Sequence, residues 1–212
     1  MTMKIGVLGS GHVGQALSKG LHALGHEVRI GSRAGGKLAE FSAASGVTEG
    51  SFADVARFAD VVVLAVKGTV AEALVQELGA ALDGKVVLDT TNPISDAPPK
   101  DGIVQYFTGP NDSLLERLQA AAPKARVVKW FNSVGAHLMV SPKLAVTPSM
   151  FICGNDADAK GVAGDLAKAL GWNVEDVGTA AAGHAIEALC QLWCAPGFLR
   201  NDWMHAYAVL RP

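Results

Sequence analysis

The chain reads as an α/β protein with a Rossmann-type, doubly wound, mainly parallel sheet, and three observations lead to that fold class. Short apolar runs alternate with helical patterns along the chain, the order expected when crossover helices join parallel strands. The run Asp60–Val66 is almost continuously apolar, as strands are when helices cover both faces of a sheet, and Lys85–Asp89 reads as another buried strand. The first run enters a glycine-rich turn at the spacing of a dinucleotide site.

The elements follow in order. Lys4–Leu8 is a strand, and Gly9-Ser10-Gly11-His12-Val13-Gly14 is a G-x-G-x-x-G turn. Val13, Ala16, Leu17, Leu21 and Leu24 then share one face of a helix, and Glu27–Ile30 is a second strand ending in Gly31-Ser32-Arg33. Lys37–Ala44 reads as a helix and Asp54–Ala59 as a short one. The strand Asp60–Val66 leads to a helix over Val70–Leu82, and Lys85–Asp89 opens into Thr90-Thr91-Asn92-Pro93 and an irregular stretch to Pro110. A helix over Ser113–Ala121 precedes the strand Arg126–Phe131. The remainder is smaller in scale: strand Met150–Gly154, helix Asp156–Leu170, strand Asn173–Val177 and helix Ala180–Trp193, broken by Pro196-Gly197 before a mixed tail. This places a dinucleotide-binding domain at 1–140 and a small α/β extension at 141–212, packed on the same body.

Within the turn each glycine has its own task. Gly9 permits the tight exit from the strand, Gly11 lets a pyrophosphate approach the backbone, and Gly14 lets the helix pack close to the sheet. Ser10, His12 and Val13 complete the phosphate cradle, where free N–H groups and the helix dipole favour an anion. An NAD site usually carries an acid at the end of the second strand; here Gly31-Ser32-Arg33 holds none, and Glu27 lies at the start of that strand. Ser32 offers a donor and Arg33 a planar cationic fork suited to a 2′-phosphate, and Lys37, just beyond Gly35-Gly36, offers a second positive charge. The residues select NADP(H) over NAD(H).

Composition sets outer limits. The 212 residues suffice for one α/β body with an appendage, and a net charge of −2 gives no electrostatic case for nucleic acid or an anionic membrane. Cys153, Cys190 and Cys194 read as free thiols in a reducing compartment, without a metal site, and a cytoplasmic protein is expected. No stretch has the length and apolarity of a membrane span. The apolar tail with Trp193, Trp203 and Tyr207 points to a homodimer surface.

Ligands of open parallel sheets lie beyond the carboxyl ends of the strands. Val66-Lys67-Gly68, Thr90–Pro93 and Phe131-Asn132-Ser133-Val134 should therefore surround the nicotinamide. Proton donors are few there. Lys129 is the one cation near a relevant strand end, with His137 and His184 in the appendage as further candidates, while Asp89 is expected to orient the Asn-Pro loop. Asn92 and Asn132 are suited to positioning a carboxamide or an acceptor. Trp130, Phe131, Trp193 and Trp203 are either an aromatic wall for a flavin-like ring or core and dimer contacts.

The stretches Lys4–Gly14 and Gly25–Arg33, the strand ending at Lys67, Asp89–Pro93, Val128–Val134 and Phe151–Asp156 together resemble the coenzyme F420-dependent NADP oxidoreductase family. The likeness extends to about residue 195. It implies NADP(H) recognition through Ser32 and Arg33 and hydride exchange with a deazaflavin stacked on the nicotinamide. The archaeal enzymes of that family tend to carry histidine where this chain has Asn132, and the Asn-Pro and Phe-Asn segments are also similar to the NADPH-binding domain of the STEAP ferric reductases. The expected function is an NADP(H)-dependent oxidoreductase exchanging hydride with a small-molecule acceptor, for which F420, FMN and FAD are all consistent with the residues. The alternatives are a non-catalytic NADP(H)-binding sensor or partner-binding module, and a carbonyl reductase related to the β-hydroxyacid dehydrogenases with Lys129 or His137 as acid.

Overall fold

The apolar runs line up in one eight-stranded sheet. In the computed structural model, which describes residues 2–33 and 36–212, the chain runs β1 (Lys4–Leu8), α1 (His12–Ala23), β2 (Glu27–Ser32), α2 (Ala39–Ser45), β3 (Thr48–Ser51), α3 (Phe52–Phe58), β4 (Val61–Leu64) and α4 (Gly68–Leu78). It continues through β5 (Val86–Asp89), α5 (Leu114–Ala121), β6 (Arg126–Lys129), β7 (Ser149–Gly154), α6 (Ala157–Ala169), β8 (Asn173–Asp176) and α7 (Gly183–Arg200). The strand order is β3-β2-β1-β4-β5-β6-β7-β8, and every neighbouring pair is parallel except β6–β7. The order reverses between β1 and β4, which makes their carboxyl ends the switch point of a Rossmann sheet.

The central strands β1, β4, β5 and β6 are buried on both faces, so they lack polar alternation, whereas the edge strands β3 and β8 are not buried. Val61 and Val63 of β4 pack with Leu17 and Leu21 of α1 and with Ala163 and Leu166 of α6. Val62 and Leu64 turn the other way, towards Val55 of α3, Leu74 and Val75 of α4 and Leu118 of α5. At about 1.5–3 kcal/mol for each large apolar side chain removed from water, these two layers are the main source of stability. No helix among the described residues is long and apolar enough to cross a membrane.

Four features depart from the sequence reading. β3 is an additional edge strand: Thr48-Glu49-Gly50-Ser51 has no apolar alternation, yet it pairs with β2 from Arg29↔Thr48 to Ser32↔Ser51. α4 stops at Leu78 and tightens into a 3₁₀ turn over Gly79–Leu82. β6 ends at Lys129 rather than Phe131, because Phe131 adopts a left-handed backbone with φ 46°. The helix expected to break at Pro196 instead runs on to Arg200 and ends at Asn201, which has φ 55°. Proline removes one helical hydrogen bond, and packing offsets that loss. The Trp203 ring lies so close to Gly197 that an added Cβ would fall 2.3 Å from it.

Lys129 also differs from expectation. Expected as a candidate proton donor at the strand end, it is instead fully buried. Trp130 and Phe131 are fully buried and meet edge to face, with ring centroids 4.4 Å apart, so they are core and form no wall for a ligand. Trp193 stacks on His205 at 5.3 Å and contacts Trp203, fastening the tail to α7.

Candidate active site

β1, β2, β4, β5 and β6 are mutually parallel, so their carboxyl ends share one edge of the sheet. The glycine turn stands at the switch point on that edge. Gly9 has φ 141°, a conformation that L side chains rarely adopt, and an added Cβ would lie 2.1 Å from the Ala65 carbonyl oxygen. An added Cβ on Gly14 would lie 1.9 Å from the Gly9 carbonyl oxygen, so α1 rests directly on the turn. Gly11 has nothing within 4 Å of that position. The protein fills the space beside the first and third glycines and leaves the second open. Gly11 precedes α1, whose first turn receives no side-chain cap, so its N–H groups and positive dipole end meet that open space. Ser10 is half-buried, its carbonyl accepting from Gln15 Nε2 at 2.9 Å, while His12 is exposed and Val13 packs on the core.

At the end of β2, Ser32 is buried and Arg33 is exposed, as is Lys37. Ala34 and Gly35 lie outside the described residues. An acid missing from the carboxyl end of β2 is present here in space: Glu49 of β3 accepts through Oε1 from Ser32 Oγ and from the Leu38 N–H, each at 3.2 Å. Sequence reading missed it because an acid on a neighbouring strand leaves no mark at the end of β2.

The β4–β6 end is built differently. Lys67 is exposed and its extended backbone starts α4, with half-buried Val66 beside it. An added Cβ on Gly68 would lie 1.9 Å from the Asn92 carbonyl oxygen, so α4 and the Asn92 loop meet backbone to backbone. Asn92 is half-buried and donates from Nδ2 to the Asn132 carbonyl at 2.7 Å. Asn132 is buried, and its Nδ2 donates to Asn92 Oδ1 at 3.0 Å and to the Ile186 carbonyl at 3.1 Å. Its Oδ1 is buried and accepts no hydrogen bond among the described residues. The left-handed Phe131 just before it makes the turn that brings Asn132 to Asn92, a conformation worth about 1–3 kcal/mol of strain in a bulky residue.

A buried ionic cluster supports this loop pair. Lys129 Nζ lies 2.6 Å from Asp89 Oδ2 and 2.7 Å from Glu187 Oε1, and it donates to the Thr91 carbonyl at 3.0 Å. Asp89 Oδ1 accepts from the Thr91 N–H at 2.8 Å and the Thr91 hydroxyl at 2.6 Å, holding the Thr-Asn-Pro loop. Glu187 of α7 also accepts from the N–H groups of Leu114 and Leu115 at 3.1 and 3.0 Å. Two carboxylates thus face one ammonium, and the first turn of α5 stabilises the excess negative charge. Burial pulls the Lys129 pKa down, but the adjoining Asp89 and Glu187 more than offset this and hold it above the ordinary lysine range.

The remaining candidates lie apart from these loops. His137 is exposed with Nε2 2.9 Å from the Trp203 carbonyl. His184 lies at the mouth of a cavity of about 360 Å³ shared with Tyr106, Thr108 and Gln191, where burial raises the Tyr106 phenol far above its usual range. The Tyr106 hydroxyl donates to the Glu187 carbonyl at 2.5 Å. No group of three or more His, Cys, Asp or Glu among the described residues could hold a metal ion.

Comparison with known proteins places this architecture. The sequence profile described as NADP oxidoreductase, coenzyme F420-dependent, matches residues 4–93. A crystal structure from Arthrobacter sp. FB24, provisionally described as an F420-dependent NADP reductase, is 34% identical with a TM-score of 0.91, covering 99% of this chain and 100% of its own. Metalloreductase STEAP3 of Rattus norvegicus is 27% identical over 88% of this chain and 36% of its own length. The F420-dependent NADP reductase of Methanocaldococcus jannaschii is 29% identical over 66% of this chain and 62% of its own. This chain therefore spans less than two thirds of either of the latter two proteins. With the match to the Arthrobacter protein running end to end through all eight strands, the chain belongs to the coenzyme F420-dependent NADP oxidoreductase family.

Proposed function

We propose that the chain is an NADP(H)-dependent oxidoreductase that exchanges hydride with an F420-type deazaflavin. The observation that carries the dinucleotide reading is the open space at Gly11, facing the uncapped start of α1 between two glycines whose space is filled. A ligand backed closely against the main chain fits that opening at the helix start, and a pyrophosphate suits its electrostatics. Ser32, Arg33 and Lys37 would hold the 2′-phosphate, and Asn92, backed by the orphaned Oδ1 of Asn132, would hold the carboxamide. When bound, NADPH supplies the hydride.

The chain's own contribution is to orient and align rather than to donate a proton. Asp89, Lys129 and Glu187, the titratable groups bonded into this end, are sealed from solvent and committed to each other. That disfavours a carbonyl reductase with Lys129 as its acid and favours a ring acceptor that draws its proton from water. Alignment of two rings in a fixed groove accounts for the rate enhancement.

The test is anaerobic NADPH oxidation by the purified chain with F420, FMN and FAD offered separately. Turnover with F420 alone supports the reading; turnover with FMN or FAD alone replaces the acceptor. Tight NADPH binding without turnover on any of the three makes the chain a sensor. Gly11→Ala should fold as the wild type does and weaken NADPH binding at least about tenfold, because the new methyl stands where the phosphates must approach. Unchanged NADPH affinity in that variant removes the groove from consideration.

A further inference from the structure

We propose that Glu49 is a specificity-determining residue of the dinucleotide groove: its carboxylate stands at the ribose end, weakens the hold on a 2′-phosphate and keeps the site open to NADH. The inference rests on the NADP(H) reading of the groove. It begins with the register of the edge strand. β3 pairs with β2 so that Glu49 lies opposite Ile30, and its side chain reaches forward to the Ser32 hydroxyl at 3.2 Å. Sites for NAD keep an acid at the end of the second strand to accept from the ribose hydroxyls. Here the same end of the sheet acquires its acid from the strand alongside.

The bonding at Glu49 shows the competition. A hydroxyl has one proton to donate, so Ser32 donates to Glu49 or to a phosphate and not to both. Oε1 also accepts the Leu38 N–H at 3.2 Å, which ties the start of α2 to the strand end. An ionised carboxylate has about four acceptor sites, so Glu49 keeps capacity for ribose hydroxyls beyond these two bonds. Arg33 and Lys37 are exposed and form no ion pair among the described residues, so neither neutralises Glu49 in advance. A 2′-phosphate at this end is therefore drawn by Arg33 and Lys37 and repelled by Glu49. A ribose without the phosphate meets the carboxylate as an acceptor.

Glu49→Gln isolates the charge, because the amide oxygen still accepts from Ser32 and Leu38. Dissociation constants for NADPH and NADH are measured by quenching of tryptophan fluorescence in wild type and variant, at low and high salt. At low salt the variant should bind NADPH about fivefold more tightly and NADH up to about threefold more weakly, raising the preference about tenfold. The NADPH gain should shrink at high salt. A preference that is unchanged, or that shifts towards NADH, overturns the proposal and leaves Glu49 as a brace for the Leu38 segment. The wild type alone gives a second reading: NADH should bind within about thirtyfold of NADPH, and rejection beyond that overturns the proposal without any variant. Wild-type protein that binds neither dinucleotide defeats the NADP(H) reading itself, a result distinct from either of these.

Discussion

At the β2 end of the groove Arg33 and Lys37 stand at the surface with half-buried Glu49, whereas at the β5–β6 end Asp89, Lys129 and Glu187 are sealed in the interior. Both ends concentrate charge, but the physics differs. Exposed charges are screened by salt and interact weakly with the fold, so substitutions there should alter ligand preference and leave stability alone. Buried charges have given up their hydration and depend on each other, so substitutions there should unsettle the fold before they reach the ligand. On the proposed function one end is a surface for tuning affinity. The other is a frame.

The largest effect expected from this contrast is Lys129→Met. It leaves Asp89 and Glu187 buried without their shared cation, and breaking such a cluster costs about 3–5 kcal/mol. For a chain of this size that lowers the melting temperature by roughly 10 °C, read by thermal or urea denaturation. The raised pKa of Lys129 fixes the sign of the pH dependence. Its contribution is fully present below the ordinary lysine range and fades only as pH rises through the higher value of the folded state, so the difference between variant and wild type should persist across neutral pH. A Lys129→Met protein as stable as the wild type would mean that the cluster is no frame at all.

Next in size is Arg33→Asp. A charge-assisted hydrogen bond to phosphate is worth about 1.5–3 kcal/mol, so the NADPH/NADH preference should fall roughly 10- to 100-fold. Stability should change by less than about 0.5 kcal/mol, as befits an exposed side chain. An unchanged preference would move the 2′-phosphate away from Arg33. A large loss of stability would erase the distinction between the two ends.

The two ends also differ in how far the sequence reveals them. The strand, glycine turn and helix from Lys4 to Ala23 are local, and each glycine's task follows from its spacing, so this part is legible without coordinates. Ser32 and Arg33, the proposed 2′-phosphate contacts, are read from the same local stretch. Glu49 is not, because it reaches the groove across a strand pairing between β2 and a polar edge strand with no apolar period. The Lys129 cluster joins residues about forty and about sixty positions apart, through β5, β6 and α7, and no short motif records such a meeting. Asp89 as the anchor of the Asn-Pro loop is legible from its position, and its bonds to Thr91 bear this out. Pro196 misleads for the opposite reason: a strong local signal yields to packing of Trp203 on Gly197.

The smallest effect tests whether Glu187 holds α7 onto the frame, and the cysteines of α7 supply the readout. Cys194 is half-buried, and the neighbouring Cys190 thiol, with sulfurs 3.9 Å apart, lowers its pKa below the ordinary range against the opposing effect of burial. The Cys190 thiol is pushed up by that same contact and by burial, and burial pushes Cys153 up to about 12. Thiolates react and thiols do not, so iodoacetamide near pH 8 should modify Cys194 first, with Cys190 and Cys153 protected. Cys190 lies one helical turn beyond Glu187, so its modification requires α7 to lift from the frame. Glu187→Gln gives up the charge that meets Lys129 and the N–H groups of Leu114 and Leu115, a loss of about 1–2 kcal/mol that should speed Cys190 modification roughly 5- to 30-fold by peptide mass mapping. Arg33→Asp should leave the Cys190 rate unchanged. If it speeds that rate as well, the two ends are coupled through the sheet, and the separation between a tuning surface and a frame does not hold.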